Sequence, residues 1–498
     1  MKVAGLFFSL FIFFAAYAQK GPNVIIICAD DLGYGDLGCY GATKLQTPNI
    51  DRLAANGIRF TNGHCTSATC TPSRYAMLTG MYPWRKKGTG VLPGDAALII
   101  PTNTGTLPSL FASAGYATGI VGKWHLGLGD SVAKNWNATI QKGPNDIGFG
   151  YSFIFPATAD RVPTVFLENQ QVVASDSSDP IQVSYQHPIG DEPTGRDHPE
   201  LLKLHASPGQ GHDGTIVNGI GRIGYMQGGR LARWTDEEMP LTFLEKAKTF
   251  ISRHTQQPFF LCYNLTEPHV PRMPSTMFRG KSGLGLRGDT ILQLDWSVGE
   301  ILKELERLHL TQNTLVIFTS DNGPVLDDGY QDGAVTLLQG HKPGGPLRGG
   351  KYSLFEAGTR VPFIVSWPAQ VKPGTSEALL CQVDWLASFA ALLNKTLPAG
   401  VGADSQNQLP ALLGRSATGR TSLVEHAGAL AIISGKWKYI PANNIQPYYK
   451  LTDTETGGST EPQLYDLQQD IGEINNLARK FPDVCASLQA LLDASLRK

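Results

Sequence analysis

Apolar runs that each stop at polar residues constrain the fold of this chain most. The run at 23–29 reads NVIIICA and is followed by Asp30 and Asp31, and a similar run at 314–320 is followed by Asp321. A continuous β-branched run suits a parallel strand that is covered on both faces. Polar residues at the carboxyl ends of such strands lie where open α/β sheets hold their sites. The pattern therefore predicts a buried parallel sheet with a polar site at one edge.

Further elements extend this pattern along the chain. Apolar runs at 116–122 and 258–265 read as two more buried strands, and apolar residues recur at helical spacing over 290–308. Strands that alternate with helices indicate a doubly wound α/β fold. The sequence predicts a large, mostly parallel sheet with helices on both sides.

The chain of 498 residues divides into unequal parts. We expect a catalytic α/β domain at 19–413, with an insertion at about 157–233 that is rich in Pro, Gly, Asp and His. Short strands at 421–425, 430–433 and 437–440 and a closing helix at 481–497 predict a smaller, antiparallel C-terminal subdomain at 414–498.

The N-terminus predicts export. Lys2, an apolar run at 3–16 and Ala-Tyr-Ala at 16–18 form a signal peptide that spans 1–18, so we expect a periplasmic or secreted protein without a membrane span. Lys plus Arg (42) nearly balance Asp plus Glu (43), which argues against nucleic acid as a partner. Nothing in the sequence predicts an oligomeric state.

A cysteine opens a helix at 70–80, where the sequence reads CTPSRYAMLTG. Pro72 suits a first helical turn, and Arg74 places a fixed positive charge beside a helix N-terminus, which favours an anion. Seven cysteines are an odd number, so an exported chain keeps at least one thiol unpaired, and Cys70 is the candidate. The alternative is a buried helix-start thiol whose pKa Arg74 lowers.

The pattern C-x-P-S-R-x-x-x-L-T-G at 70–80 resembles the signature of the type I sulfatases, which belong to the alkaline-phosphatase-like superfamily. GKWHLG at 122–127 is similar to the second signature of that family, and the likeness extends from Asn23 to about Asp384. The resemblance implies that a maturation enzyme oxidises Cys70 to formylglycine. It also implies that the hydrated aldehyde of this residue attacks sulfate esters.

The polar residues at the two strand ends predict a metal site. Asp30, Asp31, Asp321 and Asn322 offer four hard oxygen ligands, which favour Ca²⁺ or Mg²⁺ over zinc. The alternative for each pair is that it caps a helix or turn. The resemblance implies a divalent cation at these four positions, Ca²⁺ rather than Mg²⁺.

The resemblance also implies catalytic roles for five residues. Arg74, Lys123 and Lys351 would balance the charge of the sulfate together with the metal. His269, with help from Lys351, would protonate the departing sugar oxygen, and His125 would accept the proton whose loss restores the aldehyde. Without the resemblance, Lys-x-His reads as a surface lysine beside a packed histidine, and His269 as an ordinary loop histidine.

Two further residues receive assignments. Ser152 is the candidate for the serine that contacts the sulfate in some sulfatases. Arg360 reads as the salt-bridge partner of Glu356, four residues before it.

The insertion contains polar and aromatic residues that suit recognition of a sugar. We expect contacts to the sugar from Asp160, Arg161, His212, Arg222, Arg233 and Trp234. An exported sulfatase with such an insertion resembles those that act on sulfated polysaccharides, with galactose or N-acetylgalactosamine as the sugar. Two alternatives stay open. One is a formylglycine-dependent phosphonate monoester or phosphodiester hydrolase, and the other is a non-catalytic protein that binds sulfated glycans.

Overall fold

A computed structural model describes residues 21–497, so the expected signal peptide at 1–18 lies outside the described residues. A ten-stranded mixed sheet forms the centre of the described chain. From one edge to the other, its strands are Gly374–Ser376, Ile58–Phe60, Phe363–Ser366, Thr314–Ser320, Asn23–Ala29, Phe259–Asn264, Ala117–Lys123, Tyr151–Phe155, Leu167–Glu168 and Gln171–Val172.

The predicted parallel strands occupy the middle of this sheet. Asn23–Ala29 pairs in parallel with Thr314–Ser320 on one side and with Phe259–Asn264 on the other. Ala29 lies opposite Ser320, so the residues that follow the two strands emerge side by side. The outer strands Phe363–Ser366 and Leu167–Glu168 run antiparallel to their inner neighbours, which makes the sheet mixed.

Helices cover both faces of the sheet, as the doubly wound prediction requires. Ile26 and Cys28 belong to one buried apolar cluster, whereas Ile25 and Ile27 belong to another on the opposite face. Side chains alternate between the faces of a strand, and burying each aliphatic side chain contributes about 1.5–3 kcal/mol. The helices are Pro48–Ala55, Cys70–Thr79, Leu107–Ser113, Met239–Arg253, Gly285–Arg307, Glu356–Thr359, Trp385–Leu392, Leu409–Leu412 and Pro482–Arg497.

The C-terminal part forms the predicted smaller subdomain with an antiparallel sheet and a closing helix. Its four antiparallel strands are Ser422–His426, Leu430–Ser434, Trp437–Ile440 and Gln463–Asp466. Leu488 and Leu492 of the last helix pack into the same apolar cluster as this sheet. A short hairpin, Tyr448–Tyr449 with Thr454–Glu455, projects from the subdomain.

The segment at 157–233 is more ordered than its composition indicates. Leu167–Glu168 and Gln171–Val172 continue the central sheet, so this part is not an added loop. Small antiparallel ribbons make up much of the remainder, namely Gln182–Ser184 with Tyr225–Gln227 and Ile216–Val217 with Ile220–Gly221.

Outside this segment, a further two-stranded ribbon joins Gly63–His64 to Leu380–Cys381. Among the described helices, none is long and apolar enough to cross a membrane.

Candidate active site

Two neighbouring strand ends bring the predicted metal ligands together. The amide nitrogen of Asn322 donates to Asp31 Oδ1 at 2.6 Å, and the backbone N–H of Asp31 donates to Asp321 Oδ1 at 3.4 Å. Asp31 has a φ of +64°, a conformation that costs an ordinary residue energy and is concentrated at functional sites. Buried oxygens Asp30 Oδ1 and Asn322 Oδ1 have no hydrogen-bond partner among residues 21–497.

These two oxygens without partners show whether the residues suit a bound cation. A buried acceptor without a partner is costly, and a hard divalent cation satisfies several such oxygens at once. Oxygen atoms alone make up the predicted donor set, and Cys70 Sγ and one His269 nitrogen lie within 4.8 Å of ligand atoms of Asp30 and Asp31. The residues therefore fit Ca²⁺ or Mg²⁺.

Three buried cations hold the carboxylates in place. Arg74 Nε donates to Asp321 Oδ2 at 2.8 Å, and Lys123 Nζ donates to Asp30 Oδ2 at 2.6 Å. Lys351 Nζ donates to Asp31 Oδ2 at 2.9 Å, and it also contacts Asp328. Arg74 and Lys123 therefore face the carboxylates, and neither lines the cavity.

Burial and the neighbouring cations shift the pKa values of the two adjacent carboxyls in opposite directions. Burial raises the pKa of Asp30 to about 6, despite the opposing charge of Lys123. Burial also acts on Asp31, but Lys351 and His269 outweigh it and hold the pKa of Asp31 below its usual range. Two carboxyls from one strand end thus differ because their cationic neighbours differ.

Cys70 starts its helix at the bottom of a cavity of about 290 Å³. Burial raises the pKa of the thiol to about 12, against the effect of Lys123 and Lys351. The alternative of a thiol whose pKa Arg74 lowers is therefore wrong, because burial dominates and the guanidinium is engaged with Asp321. The unmodified thiol is a poor nucleophile here.

The two histidines present different free nitrogens. His125 Nε2 lies 2.9 Å from the Leu92 carbonyl oxygen and donates to it, while buried Nδ1 has no partner in the described chain. Burial, with Lys123 nearby, holds the pKa of His125 well below its usual value. His269 Nδ1 lies 2.7 Å from the carbonyl oxygen of Val270, which leaves Nε2 facing Asp31 Oδ2 at 3.8 Å.

Three of the six expected sugar contacts line the cavity. Asp160, Arg161 and His212 stand in its wall with Cys70 and Lys351. His212 Nε2 lies 2.9 Å from Asp160 Oδ2, and Arg161 Nη1 donates to the same carboxylate at 3.2 Å. Burial would raise the pKa of Asp160, but Arg161 and His212 hold it well below its usual value.

The other three expected contacts have structural roles instead. Arg222 is fully buried and donates to both carboxylate oxygens of Asp236 at 2.9 and 2.6 Å. Arg233 pairs with Glu192 at 2.7 Å. Trp234 packs against aromatic rings in the core. Their side chains are engaged within the protein and do not line the cavity, which corrects the expectation of sugar contact for all three.

Ser152 is also placed away from the cavity. It lies on the strand Tyr151–Phe155, and its hydroxyl donates to Asn145 Oδ1 at 2.7 Å. The expectation that it contacts the sulfate is therefore corrected. Arg360 Nε donates to Glu356 Oε2 at 2.5 Å, as expected.

Sequence reasoning missed part of the cavity wall. Asp328, which binds Lys351, follows the Asp321 strand end closely, and this proximity was an available signal. Two more wall residues lie beside predicted ones, since Tyr352 follows Lys351 and Gln210 is two residues before His212. Tyr449, Leu451 and Thr452 come from a distant segment that carries no motif.

With this fold and site described, the class of protein is clear. The chain belongs to the sulfatase family, whose family model matches residues 22–395. It is an enzyme of that family, a hydrolase of sulfuric esters, which supports the sulfatase interpretation over the phosphodiesterase and non-catalytic alternatives.

Individual relatives define the family relationship more closely. The chain is 54% identical to an N-acetylgalactosamine-6-O-sulfatase of Bacteroides thetaiotaomicron, over 96% of this chain and 93% of the relative. It is 32% identical to human arylsulfatase A, over 95% of this chain and 87% of the relative. A solved structure from work on the metabolism of multiple glycosaminoglycans by B. thetaiotaomicron superimposes with a TM-score of 0.95 at 53% identity, and the match covers 96% of this chain and all of that one.

Proposed function

We propose that this sulfatase removes the 6-O-sulfate from N-acetylgalactosamine or a closely related sugar in a sulfated glycan. The observation that carries this proposal is the position of Cys70, at the bottom of a cavity whose walls combine cations with polar groups suited to a sugar. Identity of 54% to an N-acetylgalactosamine-6-O-sulfatase supports the choice of sugar and of sulfate position.

The nucleophile of the proposed enzyme is formylglycine, formed from Cys70 by a maturation enzyme. Two observations support the modification. Sulfatases generally use formylglycine, and the buried thiol of Cys70 is too poor a nucleophile to serve unmodified. The proposed cation is Ca²⁺ rather than Mg²⁺, held by Asp30, Asp31, Asp321 and Asn322. When bound, it supplies positive charge for the sulfate and for the nucleophile.

The charges of the site support this assignment. Arg74, Lys123 and Lys351 supply three positive charges, and their partners Asp30, Asp31 and Asp321, with Asp328, supply four negative ones. This set alone carries an excess of one negative charge and would repel a sulfate ester. A divalent cation reverses the excess, so the loaded site attracts the ester's single negative charge.

Proton transfers are assigned from the free ring nitrogens. His269 Nε2, next to Asp31, is the proposed donor to the departing sugar oxygen, and Lys351 assists it. His125 Nδ1 is the proposed acceptor in the later step that restores the aldehyde. Its partnerless nitrogen and lowered pKa support a neutral base.

Substrate contacts are assigned to the polar wall. Asp160 and His212 form a buried acceptor and donor pair that suits sugar hydroxyls, and Arg161 adds a cation beside them.

We further propose that the chain is exported through the leader at 1–18, and that the catalytic domain spans 19–413 and the C-terminal subdomain 414–498.

The experiment compares sugar and aryl substrates after maturation of Cys70. N-acetylgalactosamine 6-sulfate should be hydrolysed well above the 4-sulfate isomer. His269→Ala should lose roughly 10²–10⁴-fold on the sugar, the usual range for general acid catalysis, because a sugar alcohol needs a proton to leave. It should lose far less on nitrophenyl sulfate, whose leaving group is a weak base.

His125→Ala is the matched control for this role. It should slow both substrates alike, because it acts after the alcohol has left. Equal losses on both substrates for His269→Ala would make His269 a sulfate ligand instead of an acid. Failure of the wild-type enzyme to hydrolyse the 6-sulfate, or a preference for the 4-sulfate, would contradict the proposed substrate.

A further inference from the structure

One wall at the rim of the cavity comes from the C-terminal hairpin. Tyr449, Leu451 and Thr452 line the cavity together with Cys70, although about 380 residues separate them in sequence. Cys70 is buried at 1% exposure, whereas Tyr449 is 41% exposed, so the tyrosine stands at the mouth. The C-terminal subdomain thus completes the entrance to a site that the α/β domain otherwise builds.

Tyr352 packs against the ring of Tyr449 and holds it at the mouth of the cavity. Tyr449 packs edge to face on Tyr352, with ring centroids 5.5 Å apart and planes at 62°. The Tyr352 hydroxyl donates to Asp328 at 3.3 Å, and Asp328 also binds Lys351. Tyr352 keeps a φ of +72°, a conformation that a bulky residue adopts only where its surroundings impose it.

Further contacts fix the hairpin in place. Arg348 donates to both carboxylate oxygens of Glu455 at 2.8 and 3.0 Å, and Ser353 Oγ donates to the Glu455 carbonyl at 2.5 Å. Gln210, which belongs to another segment of the cavity wall, donates through Nε2 to the Leu451 carbonyl at 2.8 Å. A surface that is already ordered binds a ligand at a smaller entropic cost.

Size and chemistry indicate what this surface contacts. A cavity of about 290 Å³ lies at the small end of ligand pockets, so it suits one sugar rather than several. The remainder of a glycan chain must leave through the mouth, where Tyr449 presents an exposed aromatic face and Leu451 is 37% exposed. Aromatic faces carry negative charge density and attract the positive C–H face of a sugar ring.

We propose that Tyr449, supported by Tyr352 and flanked by Leu451, forms a subsite for the sugar that adjoins the sulfated one in the same glycan chain. This inference rests on the proposed function. In this role Tyr449 is a specificity residue rather than a catalytic one, because its ring contacts the adjoining sugar and no reacting atom. It selects glycan chains over monosaccharides.

The adjacent residue offers a matched control. Tyr448 has almost the same exposure, 42%, but lies on the other face of the two-residue strand and does not line the cavity. We would measure KM and kcat for the sulfated monosaccharide and for disaccharides that carry the same sulfated sugar at either end. The variants are Tyr449→Ala, Tyr449→Phe and Tyr448→Ala.

The wild-type enzyme should favour a disaccharide over the monosaccharide in kcat/KM. Tyr449→Ala should reduce that preference by roughly five- to tenfold, mainly through KM, as loss of one aromatic contact implies. Tyr449→Phe, which keeps the ring face, and Tyr448→Ala should retain the preference.

Two results would overturn the inference while leaving the proposed function intact. One is an unchanged preference in Tyr449→Ala, and the other is an equal loss of preference in Tyr448→Ala. If the wild-type enzyme hydrolysed an aryl sulfate but none of these sugars, the proposed function would fail and the inference with it.

Discussion

Two buried clusters of polar and ionisable residues differ in one respect, which separates a site of chemistry from a structural support. The active-site cluster contains Asp30, Asp31, Asp321, Asn322, Arg74, Lys123 and Lys351. The interdomain cluster, which joins the α/β domain to the C-terminal sheet, contains His64, Glu356, Arg360, Glu425, Lys438 and Glu473. In each cluster two carboxylates and a nearby histidine are close enough to suit a metal ion: Asp30 and Asp31 with His269, and Glu356 and Glu425 with His64.

The interdomain cluster has its own cation at its centre. Lys438 Nζ lies 2.8 Å from Glu356 Oε1, 2.9 Å from Glu425 Oε2 and 3.8 Å from Glu473 Oε1. The ammonium group thus pairs with both carboxylates, Glu356 and Glu425, that could otherwise share a metal ion with His64. Glu425 Oε2 and Glu473 Oε1 make no hydrogen bond either, but both face this ammonium group. In the active-site cluster, Asp30 Oδ1 and Asn322 Oδ1 also have no hydrogen-bond partner among residues 21–497, and no ion pair of the described chain ends on either atom. Acidic residues alone therefore do not make a metal site, because the space between them must also be free.

The largest expected effect tests this difference directly. Asp30→Asn should remove the divalent cation and lower turnover by at least ~100-fold, since changes even around a ligand cost 10–100-fold. Glu425→Gln is the control from the other cluster and should leave metal content unchanged. Elemental analysis of purified protein measures both. Zinc, no cation in the wild-type enzyme, or equal metal loss in the two variants would contradict the comparison.

A second prediction concerns support rather than chemistry. Lys438→Met should lower the free energy of unfolding by about 3–5 kcal/mol, because it leaves buried carboxylates without their cation. The folded fraction should keep its turnover. Lys436→Met, which removes the half-exposed partner of Asp466, should cost about 0–1 kcal/mol. Denaturant unfolding compares the two, and a similar small loss in both would contradict the proposed role of Lys438.

A third prediction is a pH dependence of stability. Burial raises the pKa of Glu473 to about 8, an effect that Lys438 opposes and Glu356 reinforces. Between the usual pKa of a glutamate and pH 8, the folded protein keeps a proton that the unfolded chain has lost. This stabilisation is complete at low pH and disappears as the pH rises through 8.

Glu473→Gln removes this titration. Relative to the wild type, the variant should become progressively more stable from about pH 5 to pH 8. Unfolding curves at several pH values, each for both proteins, measure the difference. A constant difference across this range would show that Glu473 does not hold the proton.

The sequence predicted the metal ligands and Cys70 better than the residues that line the cavity. Asp30, Asp31 and Asp321 follow apolar runs whose strands must align, so local pattern was enough to bring them together. The helix that begins at Cys70 was equally local. Arg222 and Trp234 have the chemistry of sugar contacts, but only tertiary packing reveals that both are buried and bonded to Asp236.

Contacts between domains were also beyond local pattern. Lys438 and Glu356 are 82 residues apart, and nothing near either residue indicates the other. Tyr449 has no motif at all, and its place at the cavity depends on how the C-terminal hairpin packs on the segment that carries Lys351. Such pairings are set by tertiary contacts that periodicity does not encode.

The central claim is that Cys70 becomes the formylglycine nucleophile of this sulfatase. The most direct test is mass spectrometry of the peptide that contains Cys70, from protein produced together with a maturation enzyme. We expect the mass of an aldehyde in place of the thiol, turnover that rises in proportion to the converted fraction, and no turnover in Cys70→Ala. Full turnover of a sulfate ester by protein in which Cys70 is entirely a thiol, or by Cys70→Ala, would contradict the account.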